Sequence, residues 1–301
     1  MTCLRRFASL SAATALVGAS LAVVGGVAAP TPAAAAPGNP GTPSAPTVVW
    51  NEDFENGLGD GQVATLTGKT TPTGPTTTRY QSAFQVGEPS APLTYTSDDY
   101  WTQTNQGNGI VLDYNTTAAT LSGIGSTAGS SWLREMAQSI GKLHSSDEAV
   151  YNANHAVAAY SSGGYPGAGS VQLETEELIP LTQQNRFLTL AADVAATNCI
   201  SYAAPLRNFY FLDEDGDEVL LNSTPLNGCA TGQTTNARVS TMTGDQAVLL
   251  TGGSVGLRIR NVQDTSSGND AAFDNIEILD VTPQLDKEFV SGSGVPGTEA
   301  R

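Results

Sequence analysis

The stretch Val48-Val49-Trp50-Asn51-Glu52-Asp53-Phe54-Glu55 decides the fold class. Val48, Trp50 and Phe54 fall on one parity, while Asn51, Asp53 and Glu55 fall on the other. That is the period of two expected of a strand with one buried face. The same alternation returns along the chain. Leu188, Leu190, Ala192 and Val194 form one apolar face. Val171, Leu173 and Thr175 alternate with Gln172, Glu174 and Glu176. Val255, Leu257 and Ile259 alternate with Arg258 and Arg260. Residues 207–212 and 218–221 flank Asp-Gly turn chemistry and read as a hairpin, and residues 273–281 close the set. Many short strands with neither a βαβ rhythm nor an internal repeat predict an all-β fold, a jelly-roll-type β-sandwich.

One segment breaks the pattern. Trp132, Met136, Ile140 and Leu143 recur at helical spacing, which predicts one short helix. Ser131 suits its cap and Glu135 its early turns, and Gly141 is expected to interrupt it.

Composition sets outer limits. The 301 residues carry 13 basic and 29 acidic side chains, a net charge of −16. Nucleic-acid binding needs a cationic surface to displace counterions, so that class is excluded, as is adhesion to anionic lipid. A hydrophobic share of 40% is enough for a core. Two His and three Cys leave little material for a zinc cluster.

The N-terminus reads as a secretory signal peptide. Arg5 and Arg6 precede an apolar stretch, and small residues at Ala33 and Ala35 suit cleavage after Ala35. No second apolar run approaches the ~20 residues of a membrane span. The expected organisation is a signal peptide at 1–35, a Pro/Gly-rich linker at 36–47, a sandwich domain at 48–281, and residues 282–301 as a tail or the truncated start of a following repeat. Removing 1–35 takes away two arginines and no acids, leaving a charge of −18. It also takes away Cys3, so Cys199 and Cys229 read as a disulfide in an exported chain.

No motif assembles a catalytic centre. Gly252-Gly253-Ser254-Val255-Gly256 matches a nucleophile-elbow pattern, but that elbow must turn from strand into helix, and here a strand follows. His144 and His155 have no acid placed beside them by the sequence. Glu174 and Glu176 have the spacing of paired glycosidase carboxylates, yet read better as a solvated face. Residues 213–218 concentrate acids on one turn, oxygen-rich enough to suggest calcium but best read as an acidic hairpin. Seven of nine tyrosines fall between Tyr80 and Tyr165, and Tyr100-Trp101, set among polar residues, are the expected glycan-stacking pair.

Asn51-Glu52-Asp53-Phe54-Glu55-Asn56-Gly57 and Asn269-Asp270-Ala271-Ala272-Phe273-Asp274-Asn275-Ile276 bracket the domain. This pairing resembles the galactose-binding-like jelly rolls of carbohydrate-binding modules. More closely, residues 48–289 look like the N-terminal domain of large secreted bacterial surface proteins that carry tandem Ig-like repeats. The stretches Asn154-His155-Ala156-Val157, Pro166-Gly167-Ala168-Gly169 and Asn185-Arg186-Phe187-Leu188-Thr189 carry that likeness. So does Val281-Thr282-Pro283-Gln284-Leu285-Asp286-Lys287-Glu288-Phe289, which looks like the first strand of a next repeat.

The resemblance implies that the first and last strands lie side by side. It also implies a structural calcium there, held by Glu52, Asp53 or Glu55 with Asp274. The functional expectation is a secreted, non-enzymatic cell-surface module for adhesion or display, with a glycan or cell-surface partner. A carbohydrate-binding module using exposed aromatics is the alternative, and a secreted hydrolase the remotest reading.

Overall fold

The computed structural model describes residues 45–283 apart from 69–76, 83–91, 99–106, 124–128, 162–167, 198, 200–202, 231–236 and 264–269. The signal peptide, nearly all of the linker, and the tail beyond Pro283 lie outside the described residues, as do Tyr100 and Trp101.

The chain begins with β1 (Thr47–Glu52), β2 (Val63–Thr65), β3 (Tyr95–Thr96) and β4 (Gly107–Leu112). Three helical segments follow: α1 (Ala118–Gly123), α2 (Ser130–His144) and α3 (Glu148–Asn152). Then come β5 (Ala156–Tyr160), β6 (Val171–Thr175), β7 (Ile179–Pro180), β8 (Arg186–Ala196), β9 (Leu206–Leu212), β10 (Glu218–Leu220) and β11 (Leu226–Asn227). The last four are β12 (Arg238–Thr243), β13 (Val248–Leu250), β14 (Ser254–Asn261) and β15 (Ala271–Asp280).

These strands form a β-sandwich of jelly-roll type. The first sheet runs β12-β8-β15-β5-β4-β2, with β1 on β15 and β13 on β8. The second runs β10-β9-β14-β6-β3, with β11 on β9 and β7 on β14. Every named strand pair is antiparallel. The first strand does lie beside the last. Trp50 faces Ile278 and Glu52 faces Ile276, with a bulge at Val49. The expected inner faces, Leu188/Leu190/Ala192/Val194 and Val255/Leu257/Ile259, meet in one core with Trp50, Phe209, Phe211, Phe273, Ile276 and Ile278.

The first sheet is also covered on its other face. Leu133, Met136, Ala137 and Ile140 of α2 pack on Ile110, Leu112, Ala156, Ala158, Ala195, Val239 and Ala272. The small alanines on β5, β8 and β15 let the helix sit close. This corrects the expectation of one short helix: three helical segments are present among the described residues, and α2 differs from its predicted form. The buried stripe is displaced from the predicted one: Leu133 replaces Trp132, and Leu143 stays exposed. The helix also runs 15 residues and passes through Gly141. That glycine is a contact point rather than a break. A Cβ there would come within 2.6 Å of the Tyr151 carbonyl oxygen and 2.8 Å of Asn154 Cβ. Ser131 is not the cap either; Gly129 holds that position in a left-handed conformation, φ 71°.

The structure contains the Cys199–Cys229 disulfide, with a Cα–Cα distance of 5.4 Å. Peptide mapping of non-reduced protein is expected to recover the linked pair, and two alkylatable thiols would refute it.

Candidate ligand-binding face

The second sheet differs from the first in what covers it. Among the described residues α2 packs on β4, β5, β8, β12 and β15, all strands of the first sheet. No helix among the described residues packs in that way on β6, β9, β10 or β14. Alternation sends Phe209, Phe211, Leu257 and Ile259 into the core. Their neighbours Asn208, Tyr210, Arg258 and Arg260 therefore face outward, half-buried.

Register aligns these side chains into rows. Thr96, Glu174, Arg258, Tyr210 and Leu220 are successive partners across β3, β6, β14, β9 and β10. Arg260 and Asn208 stand together in the next row. Arg258 Nε donates to Glu174 at 2.5 Å, and its Nη1 reaches Glu218. Arg260 Nη2 also meets Glu218, at 2.5 Å, and its Nη1 donates to the Gly169 carbonyl at 2.5 Å. Tyr210 accepts a hydrogen bond from Asn208 Nδ2 at 3.0 Å, and Asn208 Oδ1 in turn accepts from Asn222 Nδ2 at 3.0 Å.

The two carboxylates that suggested a glycosidase pair are thus claimed separately. Glu174 belongs to Arg258, and Glu176 pairs with Arg79 at 2.5 Å. The Arg79 contact holds the Glu176 carboxyl below its ordinary value. At Glu218 burial works the other way, but its two arginines outweigh it and leave the carboxyl lowered. A general acid needs a raised value, so Glu176 is not tuned for that role.

Other candidates resolve in the same manner. Ser254 opens strand β14 and donates to Glu214 at 3.3 Å, with no helix after it. The structure does bring acids to both histidines, which the sequence could not show. His144 Nε2 lies 2.5 Å from Asp193. His155 is buried, with Nδ1 2.7 Å from Glu55 and Nε2 3.9 Å from Asp113. Neither histidine is hydrogen-bonded to a Ser, Thr or Cys among the described residues. Burial opposes charge on His155, but the hydrogen bond to Glu55 and the charges of Glu55 and Asp113 prevail and raise its pKa.

The residues expected to hold calcium each have partners within the protein. Glu52 turns inward and accepts from Tyr80 Oη at 2.8 Å, Tyr95 Oη at 2.5 Å and Phe54 N at 2.9 Å. Phe54 takes a left-handed φ of 54°, and both Glu52 and Phe54 are buried. Asp53 caps its own turn by accepting from Glu55 N at 3.2 Å. Glu55 is engaged by His155, and Asp274 accepts from Asn154 Nδ2 at 2.8 Å and Asn275 N at 2.7 Å. Among the described residues no group of three or more His, Cys, Asp or Glu is placed to hold a metal ion.

No family model matches the chain, and no curated protein does. Solved structures do. The CBM22-1 xylan-binding domain of Paenibacillus barcinonensis Xyn10C is 12% identical, with a TM-score of 0.35, over 80% of this chain and 99% of that one. The sugar-binding C-terminal domain of EclA is 19% identical, TM-score 0.31, over 41% and 76%. The K1 cleaved adhesin domain of Lys-gingipain from Porphyromonas gingivalis W83 is 18% identical, TM-score 0.31, over 42% and 75%.

Proposed function

We propose that this chain is an extracellular, non-enzymatic adhesion module that holds a surface glycan on the outer face of its second sheet. The observation that carries the reading is the outer face itself. It is a sheet surface free of helices among the described residues, with Tyr210 set beside Arg258 in a hydrogen-bonded ladder. A tyrosine ring offers a sugar an apolar platform at little conformational cost. The side chains around it are tied to one another, so they are ordered before a ligand arrives, which lowers the entropic cost of binding. Asparagine and arginine groups there supply donors and acceptors for hydroxyls. The reading of residues 1–35 as a signal peptide and the Cys199–Cys229 disulfide support an exported protein.

Screening the mature protein on a glycan array tests the reading. At least one glycan is expected to bind. Tyr210→Ala is expected to weaken that binding tenfold or more with an unchanged melting temperature, because the side chain lies outside the core. An array without a hit, or a Tyr210→Ala variant that binds like the parent, would overturn it.

A further inference from the structure

A cavity of about 220 Å³ opens where β1 begins and β15 ends. Alternation carries the inward face of β8 from Leu190 and Leu188 on to Arg186. Register sets Thr47, Asp280 and Leu188 in one row across β1, β15 and β8. All three line the cavity, with Arg186 beside them. On its other side stand Leu181, Thr182 and Gln183, which follow β7 of the second sheet. Leu181 N donates to the Gly253 carbonyl at 2.7 Å and so fixes that wall.

The lining has an apolar part and a charged part. Leu188 is 1% exposed and belongs to the core, and Leu181 packs against the same core. Val49, at the bulge in β1, adds a third apolar wall. Arg186 and Asp280 form the charged part. Arg186 Nε lies 3.4 Å from Asp280 Oδ2, a loose pair, and no side-chain nitrogen of Arg186 makes a hydrogen bond among the described residues. Asp280 is already positioned, because its Oδ1 accepts from Thr282 N at 2.8 Å. A cationic fork and a carboxylate oxygen therefore stand side by side at an apolar cavity, each with bonding capacity left.

These features select a ligand. The cavity is smaller than the roughly 300–1,000 Å³ of sites for drug-sized molecules, so the ligand is small. A simple anion would meet Asp280 and a net charge of −16, and a simple cation would meet Arg186. A neutral head group would forgo the stronger charge-assisted bonds to both. A zwitterion with adjacent ammonium and carboxylate satisfies the two together, and an alkyl side chain gains by covering Val49, Leu181 and Leu188. We propose that this cavity binds a free apolar α-amino acid of leucine's size, its carboxylate on Arg186 and its ammonium on Asp280. The site is separate from the glycan face and does not rest on that reading.

The test is isothermal titration calorimetry of the mature protein with L-leucine and three relatives that each lack one group. Leucinamide lacks the carboxylate, 4-methylpentanoate the ammonium, and glycine the side chain. Leucine is expected to bind saturably, and each relative at least tenfold more weakly. Arg186→Gln and Asp280→Asn are each expected to weaken leucine binding tenfold or more, with the melting temperature as the folding control. Arg186→Lys keeps the charge and the alkyl stem but loses the fork, and is expected to weaken binding as well, so the proposal stays testable if another variant folds poorly. Glu148→Lys on α3, away from the cavity, is expected to change affinity less than twofold. Absence of leucine binding would overturn the proposal. So would equal binding of leucinamide, which would point to a peptide terminus instead, or parent-like binding by folded Arg186→Gln and Arg186→Lys proteins.

Discussion

Replacement of Glu52 by alanine is expected to lower the unfolding free energy by about 3–5 kcal/mol, read from urea midpoints at constant slope. The side chain is 4% exposed and sits among Phe54, Tyr80 and Tyr95, all buried. Its two carboxylate oxygens take the hydroxyls of Tyr80 and Tyr95 and the amide of Phe54. Truncation removes the carboxylate that three buried donors share, and each unsatisfied donor costs roughly 1–3 kcal/mol. It also opens a cavity at the junction of β1 with the core. Glu52→Gln keeps the shape and one carbonyl acceptor, so its loss should be less than half as large. Burial raises the Glu52 carboxyl above its ordinary value, with the tyrosine hydrogen bonds opposing that rise. A loss under about 1 kcal/mol for the alanine variant would mean that water replaces the carboxylate, and the knot would then not be structural.

Glu52 also marks where the sequence was legible and where it was not. Strand faces such as Leu188 to Val194 can be read because apolar residues alternate with nothing else competing. The pairing of the first and last strands was legible only as an implication of the resemblance carried by the two stretches that bracket the domain. On β1, parity places Glu52 with Trp50 on the inward side, but a carboxylate on a buried face contradicts hydrophobic patterning. The partners that satisfy it, Tyr80 and Tyr95, lie 28 and 43 residues away, so no local signal announces them.

The helix shows a different limit. A stripe through Met136 and Ile140 fits Trp132 or Leu133 equally well by spacing, and only the alanine-rich sheet face beneath decides for Leu133. Gly141 reads locally as a break because its tight contact with Tyr151 is tertiary. The outer-face ladder was half visible. Arg258 and Arg260 were on the outward parity, while Glu218 and Tyr210 needed the strand register to reach them. The histidine–acid contacts had no sequence signal at all, since Glu55 and His155 are 100 residues apart.

Stability is expected to peak on the acid side of neutrality, and Asp274→Asn is expected to raise it by about 2 kcal/mol at pH 8. Asp274 is 1% exposed, and burial pushes its carboxyl well above the ordinary range. Hydrogen bonds from Asn154 and Asn275 oppose the rise, and the charges of Glu55 and Asp193 add to it. A group raised in the folded state contributes stability that is fully present below its unfolded value and lost as pH rises through the folded one. For Asp274 and Glu52 that unfolded value is 3.8 and 4.5, and for His155 it is 6.5, so all three weaken the fold as pH climbs toward 8.

Glu176 and Glu218 act in the opposite sense, because their lowered values give stability that is lost only as pH falls below 4.5. The balance places the maximum between pH 4.5 and 6.5. Asp274→Asn removes the buried anion, and Asn154 can turn its amide to present oxygen to the new side chain. Melting curves from pH 4 to 9 should therefore show a shallower decline for the variant than for the parent. A variant that melts lower at pH 8, in a protein that excess chelator also destabilises, would mean that a bound cation neutralises Asp274 and would overturn this account of the site.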